Sequence, residues 1–388
     1  MRIAVFGASG FVGAALVEHL WADAEIEVRP IIHSSGNAAR LARFGRPLVM
    51  ADVMNPDTLA PAIAGCTHVV NCARGSSETM LRGVQHLLDA ARHASVQRFV
   101  HVSSVAAYGD DHQGVLQESA TPAPAPRSYG DTKLRQDRLV KRAAEAGLSC
   151  VVLCPPNISG PHSPFLLEII DSLRRGALGL VDGGRWGCEL VDVGNLVHAI
   201  ALALRADVAD GERIFVTDGR PLTWGELVNR LAPLADATAP VPSIPLDDAR
   251  ALVQRAEPAA ASLRRAVRHL VSSEVRQALK RDAWFAQAER SLKSAIKGVP
   301  PLDQTLRQRF ASSERVSRAA GGPTVAPRLL KQQLRGVVYS QERASRLLGY
   351  VPPLTFDASM TGFADWYGVH YGWRDEWWPL MQNLQARA

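Results

Sequence analysis

Short apolar runs along the chain alternate with stretches where apolar residues recur every third or fourth position, the pattern of buried strands set between helices. Arg2–Phe6, Glu27–Ile32, Pro47–Ala51, Thr67–Ala73, Phe99–Ser104 and Ser149–Leu153 read as strands. Ala14–Leu20, residues 78–93 and the stretch that begins at Tyr129 carry the helical spacing. Near-continuous apolar strands of this kind belong to a parallel sheet covered on both faces. Further on, Arg213–Thr217 reads as another strand. Leu222-Thr-Trp-Gly-Glu opens a helix with Thr223 as its cap and Glu226 three residues later, a capping box.

The chain has 388 residues, enough for one two-lobed unit or two domains. Its net charge of +6 is unevenly placed: residues 249–335 hold 18 Lys/Arg against 6 Asp/Glu, so the basic character belongs to one segment. Five cysteines (66, 72, 150, 154 and 188) show no Cys-x-x-Cys spacing, which argues for reduced thiols in a cytoplasmic setting and against disulfides or a metal site. Met1 leads directly into an apolar strand, so no signal peptide is expected, and no apolar run is long enough to span a bilayer.

Two places carry candidate chemistry. Gly7-Ala-Ser9-Gly10-Phe11-Val12-Gly13 lies between the first strand and the first helix, where backbone N–H groups can approach a pyrophosphate at a helix N-terminus. Tyr129-Gly-Asp-Thr-Lys133 places a phenol and an ammonium on one helical face at i and i+4, and Ser104 ends an upstream strand. A nearby cation favours the phenolate and draws the phenol towards the range of useful proton transfer, while a hydroxyl can hold a substrate oxygen.

The second strand ends without the carboxylate that would accept an NAD ribose hydroxyl. His33, Ser34 and Ser35, followed by Arg40 and Arg43, take its place, which leans the cofactor to NADP(H) over NAD(H). Asp52 and Val53 are candidates for the adenine, and Cys72 and Ala73 for the nicotinamide side.

Gly7-x-x-Gly10-x-x-Gly13, Asp52, Ser104, Tyr129-x-x-x-Lys133 and Pro155…Gly160-Pro161 together resemble an extended short-chain dehydrogenase/reductase of the NAD-dependent epimerase/dehydratase group, with features of its 3β-hydroxysteroid dehydrogenase and dihydroflavonol reductase branches. The resemblance covers roughly 1–235 and resumes at 337–368. It implies Ser104, Tyr129 and Lys133 as the catalytic set and Pro155, Asn157 and Ile158 in the loop over the nicotinamide. It also implies weaker substrate roles for Glu118 and Arg185. Met80 stands where the family usually has Asn, and Cys154 and Cys188 stand where it often has Arg. The cysteine at 188 and the Asn195-Leu-Val-His form argue against a diphosphate grip and towards the sterol-type branch.

The chain is therefore expected to be α/β: a Rossmann-type doubly wound parallel sheet (1–154, with returns near 186–217), and a smaller mixed α/β substrate lobe (155–185 and 218–388) carrying a basic helical insertion at about 245–335. The expected activity is interconversion of a secondary alcohol and ketone on a small-molecule substrate, an apolar ring or lipid-linked one. A nucleotide-sugar epimerase or reductase and a non-catalytic dinucleotide sensor are the alternatives. Within 259–297 apolar and Lys/Arg positions alternate at helical spacing. Two readings stay open there: a helical hairpin with a solvated basic face, or an anchor on an anionic membrane surface. Nucleic acid is not expected, since aromatic residues are nearly absent from that segment. A homodimer stays open. Trp366, Tyr367, Trp373, Trp377 and Trp378 near the end of the chain are expected to pack beneath the substrate lobe, with a bilayer-facing belt as the alternative.

Overall fold

A computed structural model describes residues 1–34, 38–45, 47–208, 210–237, 239–256 and 325–372. Ser35, the stretch 259–297 and Trp373, Trp377 and Trp378 lie outside them.

The first half of the chain alternates as expected: β1 (Arg2–Phe6), α1 (Phe11–Trp21), β2 (Glu27–Ile32), α2 (Ala39–Ala42), β3 (Val49–Met50), α3 (Leu59–Ile63), β4 (His68–Asn71), α4 (Ser77–His93) and β5 (Arg98–Val102). Then come β6 (Gln113–Leu116), α5 (Tyr129–Glu145), β7 (Cys150–Cys154), β8 (Asn157–Ser159), α6 (Pro164–Arg174), β9 (Leu180–Val181), β10 (Leu190–Asp192), α7 (Val193–Arg205) and β11 (Asp210–Phe215). The remainder supplies α8 (Trp224–Leu231), β12 (Ser243–Ile244), α9 (Leu246–Ala256), α10 (Pro327–Gln333), β13 (Gly336–Tyr339), α11 (Glu342–Leu348) and α12 (Phe356–Tyr367).

Seven strands form one parallel sheet in the order β11-β7-β5-β4-β1-β2-β3. The order reverses at β1/β4, and the carboxyl ends of those strands open a crevice, where a doubly wound sheet binds its ligands. Each sheet face has its own apolar core: Leu16, Val17, Ile200 and Leu204 cover one, and Val84, Leu88, Leu134 and Val140 the other. The chain returns to this sheet through β11, whereas β10 pairs with β8 outside it.

A separate core, with Phe165, Ile169, Trp224, Leu227, Phe363 and Tyr367, belongs to the second lobe. Tyr367 is buried there, and Trp366 packs against the same cluster. The capping box on α8 is formed, Thr223 and Glu226 bonding reciprocally. No helix among the described residues is long and apolar enough to cross a membrane.

Candidate active site

Three local features set up the crevice. At the β1–α1 turn, Gly7 has φ +75°, and a Cβ there would lie 2.8 Å from the Ala73 nitrogen and the Cys72 carbonyl carbon. The turn is thus pressed against the end of β4, and a side chain would close the space the backbone leaves. Gly10 caps α1 without a side-chain hydrogen bond, and no acidic residue stands in the first turn. The N–H groups and dipole at Phe11, Val12 and Gly13 therefore remain available to an anion. This arrangement fits a dinucleotide pyrophosphate, with Ser9 in the same turn. Cys72, whose thiol burial pushes up to about 12, stands beside it as a neutral group.

The second feature is the start of α5. Ser128 caps it, its hydroxyl accepting from Asp131 N at 3.1 Å, which places Tyr129 in the first turn. The third is the Ser104 turn at the end of β5, where the Ser104 hydroxyl accepts from Ala106 N at 3.2 Å. α5 reaches this turn because residue 130 is glycine: a Cβ there would collide with the Ala106 carbonyl oxygen. Tyr129 and Ser104 consequently meet. Burial pushes the phenol up, opposed first by Arg74 and then by contact with the Ser104 hydroxyl.

Lys133 is 2% exposed and donates from Nζ to the Val102 carbonyl at 2.9 Å. Its Nζ lies 6.0 Å from the Tyr129 ring centre, while the Arg74 guanidinium lies 5.2 Å from it. The cation that leads in drawing the phenol down is therefore Arg74, where the sequence pointed to Lys133. Lys133 is itself lowered to about 8 by burial, with Asp137 holding it up.

Behind Lys133 is a group that sequence reasoning missed. Asp137, one further turn along α5, is 3% exposed, and neither of its oxygens has a hydrogen-bond partner. His101 Nε2 and the Arg213 guanidinium each stand 3.9 Å from it. The Ser103 hydroxyl, also without a partner, lies close enough to draw its pKa down. Burial outweighs these and pushes Asp137 up to about 6. Arg213 is held by Tyr108, whose hydroxyl accepts from Nε at 3.0 Å, so β11 supplies a cation beside Cys154, where the family often has Arg. His101 is kept well below its ordinary value by burial and Lys133, and Asn71 Nδ2 bonds its Nδ1 at 3.2 Å.

The outlying candidates divide. Asp52 turns one oxygen to Met54 N at 2.9 Å, and His33 lies 3.7 Å from the other, largely exposed at the end of β2 with Ser34. Arg40 is half-buried beside Glu18 and Arg43. Val53 and Ala73 line a small cleft with Asn71, Arg74, Met80 and Gln136. The Met80 carbonyl accepts from Gln136 Nε2 at 2.6 Å, so that backbone oxygen is already used. Pro155 accepts from Val105 N at 3.1 Å, tying the β7–β8 loop to the Ser104 turn, and Ile158 accepts from the Ser163 hydroxyl. Asn157 opens β8.

The two weaker substrate candidates have local partners of their own. Glu118 is not presented to a substrate: its Oε1 accepts from Phe215 N at 2.8 Å, fastening the loop to the end of β11. Arg185, its side chain largely exposed, pairs with Asp182 at 2.9 Å, in a turn where Asp182 also takes Trp186 Nε1 and Leu246 N.

A family model described as the NAD dependent epimerase/dehydratase family matches residues 3–216, which contain the glycine turn, Ser104, Tyr129 and Lys133. The chain belongs to this family. The family comprises enzymes, and a ketoreductase of it from Stigmatella aurantiaca, named for 4-hydroxy-2-methyl-3-oxo-4-farnesyl-3,4-dihydroquinoline-1-oxide, is 30% identical over 66% of this chain and 80% of its own length. A sterol-4-alpha-carboxylate 3-dehydrogenase (decarboxylating) from Mus musculus is 28% identical over 63% of this chain and 71% of its own. Among solved structures of the family fold, a UDP-glucuronic acid 4-epimerase from Bacillus cereus in complex with NAD superposes with a TM-score of 0.64 at 16% identity, covering 96% of this chain and all of that one. At that identity the likeness concerns the fold alone.

Proposed function

We propose that this enzyme interconverts a secondary alcohol and a ketone on an apolar ring or lipid-like small molecule. The observation that carries the reading is the meeting of Tyr129 and Ser104 beside the glycine turn, with Lys133 buried one helical turn behind them. A dinucleotide held by the glycine turn would supply or accept the hydride. Tyr129 Oη gives up or takes the alcohol proton, Ser104 Oγ holds the reacting oxygen, and Lys133 fixes the floor of the site through the Val102 carbonyl.

The names of the two relatives support the substrate class, since each describes redox chemistry at position 3 of a ring system. Each name also puts an oxygen-bearing polar group, a 4-carboxylate or a 1-oxide, on an atom close to that position. The nucleotide-sugar alternative loses support because Cys188, where such enzymes often carry an Arg, is buried and offers no positive fork to a diphosphate. For the cofactor, His33 and Ser34 just after β2, with Arg40 in α2, favour a 2′-phosphate and hence NADP(H).

Tyr129→Phe is the deciding variant. Turnover of a cyclic secondary alcohol is expected to fall by roughly 10²–10⁴ while dinucleotide affinity, read by fluorescence titration, stays within a factor of two or so. Equal turnover in the variant would leave only a nucleotide-binding protein. In the same titrations NADPH is expected to bind more tightly than NADH, and Arg40→Ala to erase that difference.

A further inference from the structure

A buried carboxylate shares the face of α5 that carries the catalytic pair. Tyr129, Lys133 and Asp137 follow one another at four-residue spacing, so all three lie over the end of β5 and the turn after it. Lys133 Nζ donates to the Val102 carbonyl at 2.9 Å. Asp137 meets the residues on either side of that carbonyl, 3.9 Å from His101 Nε2 and close enough to the Ser103 hydroxyl to be drawn down by it. The two side chains are 2% and 3% exposed, and Asp137 has no hydrogen-bond partner among the described residues. Three more strands close the compartment. β11 brings Arg213, 3.9 Å from Asp137 and bonded to the Tyr108 hydroxyl; β7 brings Cys154, and the end of β4 brings Cys72 and Arg74. Burial keeps both thiols and His101 uncharged. Asp137 is the group that most favours the charge on Lys133, and Arg74 opposes it. A buried ammonium is tolerated where an opposite charge and hydrogen bonds repay its lost water. The Val102 carbonyl supplies the hydrogen bond, and Asp137 supplies the charge.

We propose that Asp137 is a positioning residue for the reaction and acts through Lys133, keeping that ammonium charged and seated on the Val102 carbonyl behind Tyr129. The proposal rests on the redox reading above and adds to it the residue that sets the charge of the lysine. The carboxylate does this only while ionised. Asp137 loses its proton at about 6 and Lys133 at about 8, so both charges are present between those values. Below about 6 the acid is neutral and the charged lysine has the Val102 carbonyl alone. Above about 8 the lysine gives up its proton, and it does so sooner when the carboxylate is removed. Asp137 also acts on Tyr129 directly, with the opposite result: it holds the phenol up, away from useful proton transfer. The two routes differ in sign, so one substitution separates them.

The chain has six lysines, few enough to follow singly by NMR of the full chain made with isotope-labelled lysine; Lys133 is the signal lost in Lys133→Arg. In the unsubstituted chain Lys133 should titrate near 8, with a smaller inflection near 6 where its neighbour ionises. In Asp137→Asn the inflection should vanish and the main titration fall by about one unit or more, and Asp137→Glu should restore most of it. Cyclohexanol oxidation with NAD⁺ and NADP⁺ reads the consequence. The unsubstituted chain and Asp137→Asn should share one kcat/KM at about pH 5. At about pH 9 the variant should lag by about tenfold, since one pKa unit is a factor of ten in the charged fraction. A lysine titration unmoved in Asp137→Asn overturns the proposal, and so does a rate defect of equal size at every pH, the mark of a packing residue. A variant faster than its parent above about pH 6 also overturns it and assigns the carboxylate to Tyr129. Should Asp137→Asn fail to fold, the parent decides, because a Lys133 signal without the lower inflection overturns the pairing. If the parent oxidises no cyclohexanol with either dinucleotide, the redox reading falls and the role in the reaction with it, while the lysine titrations still decide whether the pair exists.

Discussion

Asp137 is the residue whose cost is easiest to see. A buried carboxylate lacking hydrogen bonds is tolerated only where cations repay its desolvation. Here the Arg213 guanidinium stands 3.9 Å away and Lys133 acts from farther off, while His101, also 3.9 Å away, has its own pKa pushed well down; burial still lifts Asp137 to about 6. Its folded value thus lies above the 3.8 of an ordinary aspartate. The folded chain then holds this proton more tightly than the unfolded one. The group's stabilising contribution is complete below the unfolded value and is lost as pH rises through the folded one. Asp137→Asn should accordingly flatten a decline in stability between about pH 4 and 6, measured as urea midpoints. Lys133 has the opposite history: lowered to about 8, it makes the fold gain stability as pH climbs from there towards 10.5. A decline that persists unchanged in Asp137→Asn would mean that another acid titrates in that window.

At the scale of the element, the contact between α5 and the Ser104 turn decides whether the site exists. Gly130→Ala places a methyl group against the Ala106 carbonyl oxygen and beside Pro124, so helix and turn must part. A loss of about 1–3 kcal/mol in stability is expected from the overpacking, and of about 10²-fold in kcat from the displaced pair. Gly362→Ala in α12 is the control: a Cβ there meets nothing within 4 Å, and stability should rise by about 0.5–1 kcal/mol. Calorimetry and initial rates on the two variants check both statements.

This contact also marks where the sequence stopped being informative. Tyr129 and Lys133 were legible because i, i+4 spacing fixes a shared face, and the glycine turn because it sits between a strand and a helix. The same spacing continues to Asp137, yet an acid in a polar helix reads as solvated until β5 and β11 are known to pack over it. Arg74 and Arg213 matter through neighbours from distant segments, which linear spacing does not encode. Glu118 and Arg185 sat at suggestive positions, and the partners each finds nearby, Phe215 N and Asp182, were not legible from the linear sequence.

For the whole molecule, the junction between the lobes turns on Asn195, which is fully buried. Its amide donates to Asp218 Oδ1 at 2.7 Å and to the Leu354 carbonyl at 2.9 Å, and its oxygen accepts from Leu354 N at 2.8 Å. Nearby, Tyr350 Oη donates to the Thr217 carbonyl at 3.0 Å and Ser359 bonds Asp192. The closing segment of the chain is thus bolted to α7 beside the crevice. Asn195→Ala strands the Leu354 backbone groups and should cost about 2–4 kcal/mol, seen as a lower denaturant midpoint. Asn195→Asp, which keeps the acceptor for Leu354 N, should cost less at a pH where it is protonated.

The second lobe has one more property with a wider reach. α9 and α10 pack side by side, with Ala249 and Leu330 in one small core that also holds Val181 and Ile244. The stretches of chain on either side of 257–324 therefore lie on neighbouring helices. Descendants of such a gene can trade the intervening text for something longer, shorter or wholly different, and the chemistry several strands away need never be rewritten.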